Sequence, residues 1–247
     1  MSRVTGDFWD FLRDVTPARV ALGRAGNGLP TARLLEFELA HAAARDAVWA
    51  PLDTAAILTE LAAWRPVLVL SAAPDRVTFL QRPDLGRLLA RESEACLTPG
   101  PFDASLILAD GLSAKAVAAQ AVGLAKKLLS TSEFVFAPPV VARQARVALG
   151  DEIAARQGAR LAVVLIGERP GLSANDSVGA YITFAPKPGV TRDSDRNCVS
   201  NIRAQGLSLE EASRRILAIM GLARALQMSG TCLKEDEALA LLAAKQR

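Results

Sequence analysis

The chain has 247 residues, of which 51% are hydrophobic and 22% charged, a composition typical of a globular protein and not of a disordered one. Its net charge is only +3 with basic and acidic residues interspersed, and no apolar run approaches the roughly 18–20 residues of a membrane span, so we expect neither a nucleic-acid partner nor a membrane. Three cysteines without a CxxC spacing and one histidine, His41, exclude a His-rich metal centre, argue against a structural zinc site, and favour a reducing, cytoplasmic compartment.

The first 64 residues predict a helical segment without a strong strand. Residues 17–29 form a connector whose glycines lack the spacing of a dinucleotide loop or a phosphate loop. Residues 31–48 place leucine, phenylalanine and alanine at positions that fit a mostly buried helix. We therefore predict an N-terminal helical segment, 1–64, that contacts a partner.

From residue 65 onwards, apolar runs alternate with amphipathic stretches. The predicted strands are 66–72, 104–109, 133–141, 161–167 and 179–185, and the predicted helices are 113–129, 147–159 and 207–227. Ser113 and Ser208 fit the N-caps of two of these helices, and Glu211 would complete a capping box with Ser208. The alternation predicts one α/β domain, 65–247, with a Rossmann-like, largely parallel open sheet flanked by helices.

Polar residues interrupt the chain at the ends of two predicted strands. Asp110 follows the second strand, and the string Glu168-Arg169-Pro170-Gly171 follows the most apolar one. Ligands of open α/β sheets bind outside the carboxyl ends of the strands, so we interpret both breaks as a ligand-binding edge. The alternative is that Glu168 and Arg169 form a turn that merely caps the strand.

Several strings, in the same order along nearly the whole chain, resemble the small subunit of ethanolamine ammonia-lyase. GERPGL and RNC-x-SNI are uncommon, and their joint presence is specific. The strings are TPARVALGRAG (16–26), RPDLGR (82–87), DGLSAKAV (110–117), RVALGDEI (146–153), VVLIGERPGLSANDS (163–177), YITFAPKPG (181–189) and DRNCVSNI (195–202).

The resemblance implies that adenosylcobalamin binds between this chain and a large catalytic subunit. It also implies a base-on cofactor, which agrees with the absence of the D-x-H-x-x-G motif around His41. The family's cobalamin contacts map onto Val147, Glu168 and Cys198. Neighbouring positions and the break after the second strand extend the candidate set to Arg146, Arg169, Pro170, Gly171, Asp110, Ser200 and Asn201.

By this resemblance, the hetero-oligomer converts ethanolamine to acetaldehyde and ammonia by radical chemistry, and the large subunit holds the substrate. We therefore assign no catalytic residue and no metal ligand to this chain, and we expect it to be inactive alone. Arg19, Arg24 and Arg45 are expected among its contacts with the large subunit. The short stretch before TPARV argues against packaging into a bacterial microcompartment through an N-terminal extension.

Two other readings remain open at this point. The chain could be a scaffold subunit that stabilises a partner without touching the cofactor. It could also be a hydrolase with Cys198 or Ser113 as nucleophile and His41 as base, although this requires His41 to approach a distant loop.

Overall fold

The computed structural model describes residues 8–16, 18–131 and 133–233. Its helices are α1 (Phe8–Val15), α2 (Thr31–Trp49), α3 (Thr54–Glu60), α4 (Arg76–Gln81), α5 (Ala114–Ala116), α6 (Val122–Thr131), α7 (Leu149–Gln157) and α8 (Leu209–Leu226), with a π-helical turn, Val117–Ala121, between α5 and α6. Its strands are β1 (Val67–Leu70), β2 (Ala104–Ala109), β3 (Val140–Arg143), β4 (Leu161–Gly167), β5 (Val178–Phe184) and β6 (Arg196–Ile202). Within this part of the chain, no helix combines the length and the apolar character needed to cross a bilayer.

The six strands form one mixed sheet in the order β1-β3-β2-β4-β5-β6. The first four strands are parallel, whereas β5 and β6 pair antiparallel. The α/β class with flanking helices is confirmed, but the sheet is only partly parallel, and its order is not the 3-2-1-4-5-6 of a Rossmann sheet. Only residues 168–177 connect β4 to β5, which is too short for a helical crossover, so β5 returns antiparallel.

Helices cover both faces of the parallel half of the sheet. Leu106 and Leu108 of β2 pack in the larger apolar core with α3, α6 and α8, while Ile107 and Ala109 pack on the other face with α7. This alternation follows from the two-residue period of a strand. On the α7 face of β5, Thr183 is buried, whereas Tyr181 is only partly buried.

The predicted strand 133–141 is wrong in its position. The ladder of β3 begins at Val140, directly after Pro138 and Pro139, and Phe136 makes only an isolated bridge to Ala104. Proline cannot donate to a ladder, so the prolines precede the strand and do not end it. The edge strand β6 was not predicted at all.

The prediction that helix α2 is mostly buried is also wrong. Residues 34–39 are all exposed, with Leu35 at 58% and Leu39 at 73%, and Ala47 is the buried residue of the helix. The apolar side chains lie all round the helix, not on one stripe, so the body of the domain can cover only its C-terminal end. The N-terminal half of α2 therefore presents leucine and phenylalanine side chains to solvent.

The N-cap predictions are largely confirmed. Ser113 accepts a hydrogen bond from the backbone of Ala116, and Ser208 accepts one from Glu211. The Glu211 carboxylate binds arginines of its own helix instead of completing a capping box with Ser208.

A buried ion pair joins α7 to β6. The Arg196 guanidinium donates to both carboxylate oxygens of Asp151, at 2.6 and 2.7 Å, and to the Thr183 hydroxyl at 3.0 Å. Both charged side chains are only 2% exposed. The pair therefore fixes the antiparallel half of the sheet to the helix that packs on the parallel half.

The outer side of β6 is covered by the chain that follows α8. The Asn197 amide donates to the carbonyl oxygens of Gly230 and Leu233, at 3.1 and 2.8 Å, and accepts the Gly230 N–H at 2.7 Å. The last described residues are thereby held against the edge of the sheet.

Candidate functional site

A cavity of about 180 Å³ lies where the carboxyl ends of β2 and β4 meet. The chain leaves β2 towards β3 and leaves β4 towards β5, on opposite sides. Such a switch in direction is where open α/β sheets bind ligands. The lining residues are Gly111, Leu112, Arg146, Val147, Ile166, Gly167, Glu168, Arg169 and Tyr181.

Four of the predicted site residues share this cavity: Arg146, Val147, Glu168 and Arg169. Cys198 lies on β6, where it is the register partner of Tyr181 in β5. These five predicted site residues, which come from distant parts of the sequence, thus lie around the carboxyl end of β4 and the neighbouring strands β5 and β6.

The other candidates are not among the residues that line the cavity. Pro170 and Gly171 continue the loop beyond it, and the Gly171 N–H donates to the carbonyl of Ala174. Ser200 is exposed near the end of β6, and the Asn201 side chain accepts a hydrogen bond from Arg203.

The floor of the cavity depends on two glycines. Gly111 has a φ of +53°, and a Cβ there would lie 2.4 Å from the carbonyl oxygen of Gly167. A Cβ on Gly167 would lie 2.1 Å from the carbonyl oxygen of Ser113. The turn after β2 can therefore close onto the end of β4 only because both positions lack a side chain.

Asp110 lies beneath the site, where its carboxylate holds the chain after β3. Its two oxygens accept the backbone N–H groups of Gln144 and Ala145 at 2.9 and 3.0 Å, and Arg76 lies 3.6 Å away. Burial raises the pKa of this carboxyl, while the backbone donors and Arg76 act in the opposite direction. In this structure, Asp110 positions the turn that carries Arg146 and Val147, and it does not line the cavity.

Glu168 presents one carboxylate oxygen to the open side of the site. Its Oε2 accepts a 2.5 Å hydrogen bond from Ser177, while Oε1 accepts none within the described part of the chain. Gly179 lies beneath it, and a Cβ there would be 3.0 Å from Oε1. One oxygen thus orients the side chain, and the other is available to a ligand.

Tyr181 is a site residue that the sequence analysis missed. Its partly buried ring lines the cavity and lies close to Gly179 and Glu168 on the α7 face of β5. Burial raises the pKa of Tyr181 to about 12, with further contributions from the Cys198 thiol and the Glu168 carboxylate. Burial likewise raises the pKa of the Cys198 thiol. Both groups are therefore neutral hydrogen-bonding partners near neutral pH.

Tyr181 is the single tyrosine of the chain, so its ionisation can be followed by near-ultraviolet absorbance. We expect a midpoint at about pH 12 in the folded chain and at about pH 10 in denaturant. Because the folded pKa is the higher one, this contribution to stability is complete below pH 10 and is lost as the pH rises towards 12. Tyr181→Phe should remove the transition, and a midpoint near 10 in the folded chain would contradict the burial of the phenol.

The described residues do not assemble a hydrolase site or a metal centre. The Ser113 hydroxyl donates to the carbonyl of Asn175, and no hydrogen bond joins His41 to Ser113 or Cys198 in this part of the chain. His41 is exposed on α2, where its ring stacks with Phe37 at a centroid distance of 6.3 Å. Within the same residues, no cluster of three or more His, Cys, Asp or Glu side chains could hold a metal ion.

Comparison with known proteins assigns the family. Residues 6–234 match the family model described as ethanolamine ammonia-lyase light chain. A protein of Ralstonia nicotianae, named ethanolamine ammonia-lyase small subunit, is 47% identical over 99% of this chain and 94% of its own length. Proteins of the same name from Pseudomonas syringae pv. tomato and Bradyrhizobium diazoefficiens are 47% and 50% identical, over 94% and 92% of this chain and 84% and 90% of their own lengths. The chain therefore belongs to the family of ethanolamine ammonia-lyase small subunits, which are parts of a carbon–nitrogen lyase.

Proposed function

We propose that this chain is the small subunit of an adenosylcobalamin-dependent ethanolamine ammonia-lyase and that the cavity between β2 and β4 holds part of the cofactor. The observation that carries the proposal is the convergence of Val147 and Glu168 on one cavity, with Cys198 paired to its Tyr181. These residues come from three separate stretches of sequence. A structural cap on β4 would not require them to meet.

The residues of the cavity suit a cofactor of this kind. Adenosylcobalamin carries many amide side chains, a ribose, a phosphodiester and an apolar base, and such a ligand needs a few polar groups on a mainly apolar floor. Glu168 offers a carboxylate oxygen, Val147 and Ile166 offer apolar surface, and Gly111 and Gly167 allow the backbone to approach closely. The volume of about 180 Å³ is sufficient for a fragment of the cofactor, and the large subunit would enclose the remainder.

We further propose that the cofactor binds base-on. His41, the one histidine of the sequence, is on α2 and is not among the lining residues, so it offers no replacement for the cofactor's own base. When bound, the cofactor supplies the radical chemistry that converts ethanolamine to acetaldehyde and ammonia, and this chain contributes binding and orientation.

The large subunit is the proposed partner for the exposed half of α2. Apolar side chains on several sides of a helix are removed from water only where other protein covers them, and the body of this chain leaves those of residues 34–39 exposed. Ile57 and Leu61, by contrast, pack in the main core, so the partner-contacting segment ends before α3. Three cysteines that form no disulfide suit a reducing cytoplasm as the location of the complex.

The proposal is tested by measuring how tightly the reconstituted complex binds adenosylcobalamin. Glu168→Ala removes both acceptor oxygens, and a hydrogen bond to a charged group contributes about 1.5–3 kcal/mol. We expect the cofactor to bind about 10- to 100-fold more weakly to this variant, with Glu168→Gln in between and subunit assembly retained in both.

Glu133→Ala is the matched control, because Glu133 is an exposed glutamate just beyond α6, and it should leave the affinity unchanged. If the chain is a scaffold subunit without cofactor contacts, every variant complex should bind adenosylcobalamin with normal affinity. Any effect of Glu168→Ala should then be confined to thermal stability. Unchanged affinity in Glu168→Ala would therefore favour the scaffold.

A further inference from the structure

Two arginines lie over one buried phenylalanine next to the cavity. The guanidinium carbons of Arg76 and Arg146 are 4.8 and 4.2 Å from the ring centroid of Phe79. Gly86 permits this packing, because a Cβ there would lie 2.9 Å from both Arg146 and Phe79. The side chain of Arg146 is thereby fixed on the wall of the cavity.

Positive charge accumulates around Arg146. Burial lowers the pKa of its guanidinium, and so do the neighbouring charges of Arg76, Arg87 and Arg169. The carboxylate that acts in the opposite direction on Arg146 is Asp110, and its oxygens already accept two backbone N–H groups. Repulsion among the arginines is therefore only partly compensated within the described part of the chain.

Two arginine nitrogens next to the cavity also lack a hydrogen-bond partner among the described residues. The Nε of Arg146 and one terminal nitrogen of Arg76 are buried without a hydrogen-bond partner in the described structure. Arg169 follows β4 and lines the same cavity as Arg146, which follows β3. The Arg169 guanidinium makes no hydrogen bond or ion pair with the described residues. Buried donors are normally satisfied, so the two left over in Arg76 and Arg146 beside the cavity indicate an acceptor that comes from outside the chain. The exposed Arg169 adds a further positive charge at the same place.

We propose that Arg146 and Arg169 form a subsite for a phosphodiester group at the mouth of the cavity. This inference rests on the proposed function, because the phosphodiester of adenosylcobalamin, which links the nucleotide base to the corrin ring, is the one anionic group on the periphery of that cofactor. Guanidinium groups suit it because their planar N–H donors match the oxygens of a phosphate. The subsite would fix the nucleotide end of the cofactor to this chain.

Three ligands separate the phosphate from the rest of the cofactor. They are adenosylcobalamin, adenosylcobinamide phosphate, which lacks the ribose and the base and ends in a phosphate monoester, and adenosylcobinamide, which lacks the ribose, the base and the phosphate. The dissociation constant of each is measured by titration of the reconstituted two-subunit complex. Arg169→Gln is the main variant, because the side chain is exposed and its replacement should not disturb folding. We expect both phosphate-bearing ligands to bind about 10-fold more weakly and adenosylcobinamide to change by less than about 2-fold. Arg169→Lys should restore part of the loss.

Arg143→Gln is the matched control. Arg143 is an exposed arginine at the carboxyl end of β3, but it lines a different cavity, so its loss should affect the three ligands equally and weakly. The inference is overturned if Arg169→Gln weakens all three ligands alike, weakens adenosylcobalamin alone, or weakens none. It is also overturned if the variant weakens association of the two subunits while the complex that does form binds the cofactor normally. Arg169 would then contact a carboxylate of the partner. Failure of the subsite alone leaves the Glu168→Ala effect in place, whereas failure of the proposed function removes that effect too.

Discussion

Asp151→Ala is expected to lower the free energy of unfolding by about 3–5 kcal/mol. The substitution leaves the Arg196 guanidinium buried without its carboxylate, and removing one partner of a buried ion pair typically costs this much. Among the described residues, Arg196 then keeps the Thr183 hydroxyl at 3.0 Å and the exposed Asp193 carboxylate at 3.7 Å. Because the pair joins α7 to β6, the loss should appear in the global urea transition of the full-length chain and of the assembled complex.

Asp193→Ala supplies the control for that measurement. Asp193 contacts the same guanidinium, but its side chain is 97% exposed, and an exposed ion pair contributes at most about 1 kcal/mol. Equal effects of the two substitutions would show that burial of the Asp151–Arg196 pair does not determine its contribution.

Leu35→Asp combined with Leu39→Asp is expected to weaken association with the large subunit by at least about 100-fold. Burying an exposed leucine contributes about 1.5–3 kcal/mol, and each 1.4 kcal/mol corresponds to a factor of ten in affinity. Both side chains are exposed in the free chain, so its own thermal transition should not move. Titration of full-length chain with large subunit, followed by size-exclusion chromatography, measures the effect.

Leu226→Asp is the control, because it places the same charge on an exposed leucine of a different helix. Leu226 is a similarly exposed leucine at the end of α8, and the next residue, Gln227, accepts a hydrogen bond from Arg160 at the amino edge of the sheet, away from the cavity. Its replacement should leave association unchanged. Normal association of the Leu35 and Leu39 variant would show that the exposed half of α2 is not an interface.

The sequence predicted β1, β2 and β4 of the parallel half well because these strands are largely apolar, whereas it misplaced β3. The predicted strand 161–167 coincides with β4, which is buried at every position. The edge strand β6 escaped prediction because Arg196 and Asn197 are polar, and their pairing with Asp151 and with the chain after α8 is invisible in a linear pattern. Local apolar pattern does not encode such long-range polar contacts.

The candidate site could be predicted in part for a similar reason. A strand that ends in Glu168 and Arg169 predicts a ligand edge, because polar residues interrupt an otherwise apolar run. Tyr181 could have been found from strand alternation, since it is two residues from Gly179 on the same face of β5. The positioning role of Asp110 could not have been found from the sequence, because it depends on which backbone N–H groups its carboxylate binds after folding.

The contact between Asn197 and the chain after α8 also bears on self-association. An outermost strand offers its free N–H and C=O groups to any other extended chain, and this is a common route to aggregation. Here the Asn197 side chain of β6 holds the turn at Gly230–Leu233 beside that strand, and the Thr231 N–H donates to the carbonyl of Ser194 just before it. Copies of the chain that lose this turn, by proteolysis or by incomplete synthesis, would present a template for strand pairing. We therefore expect the last described residues to limit self-association in addition to completing the fold.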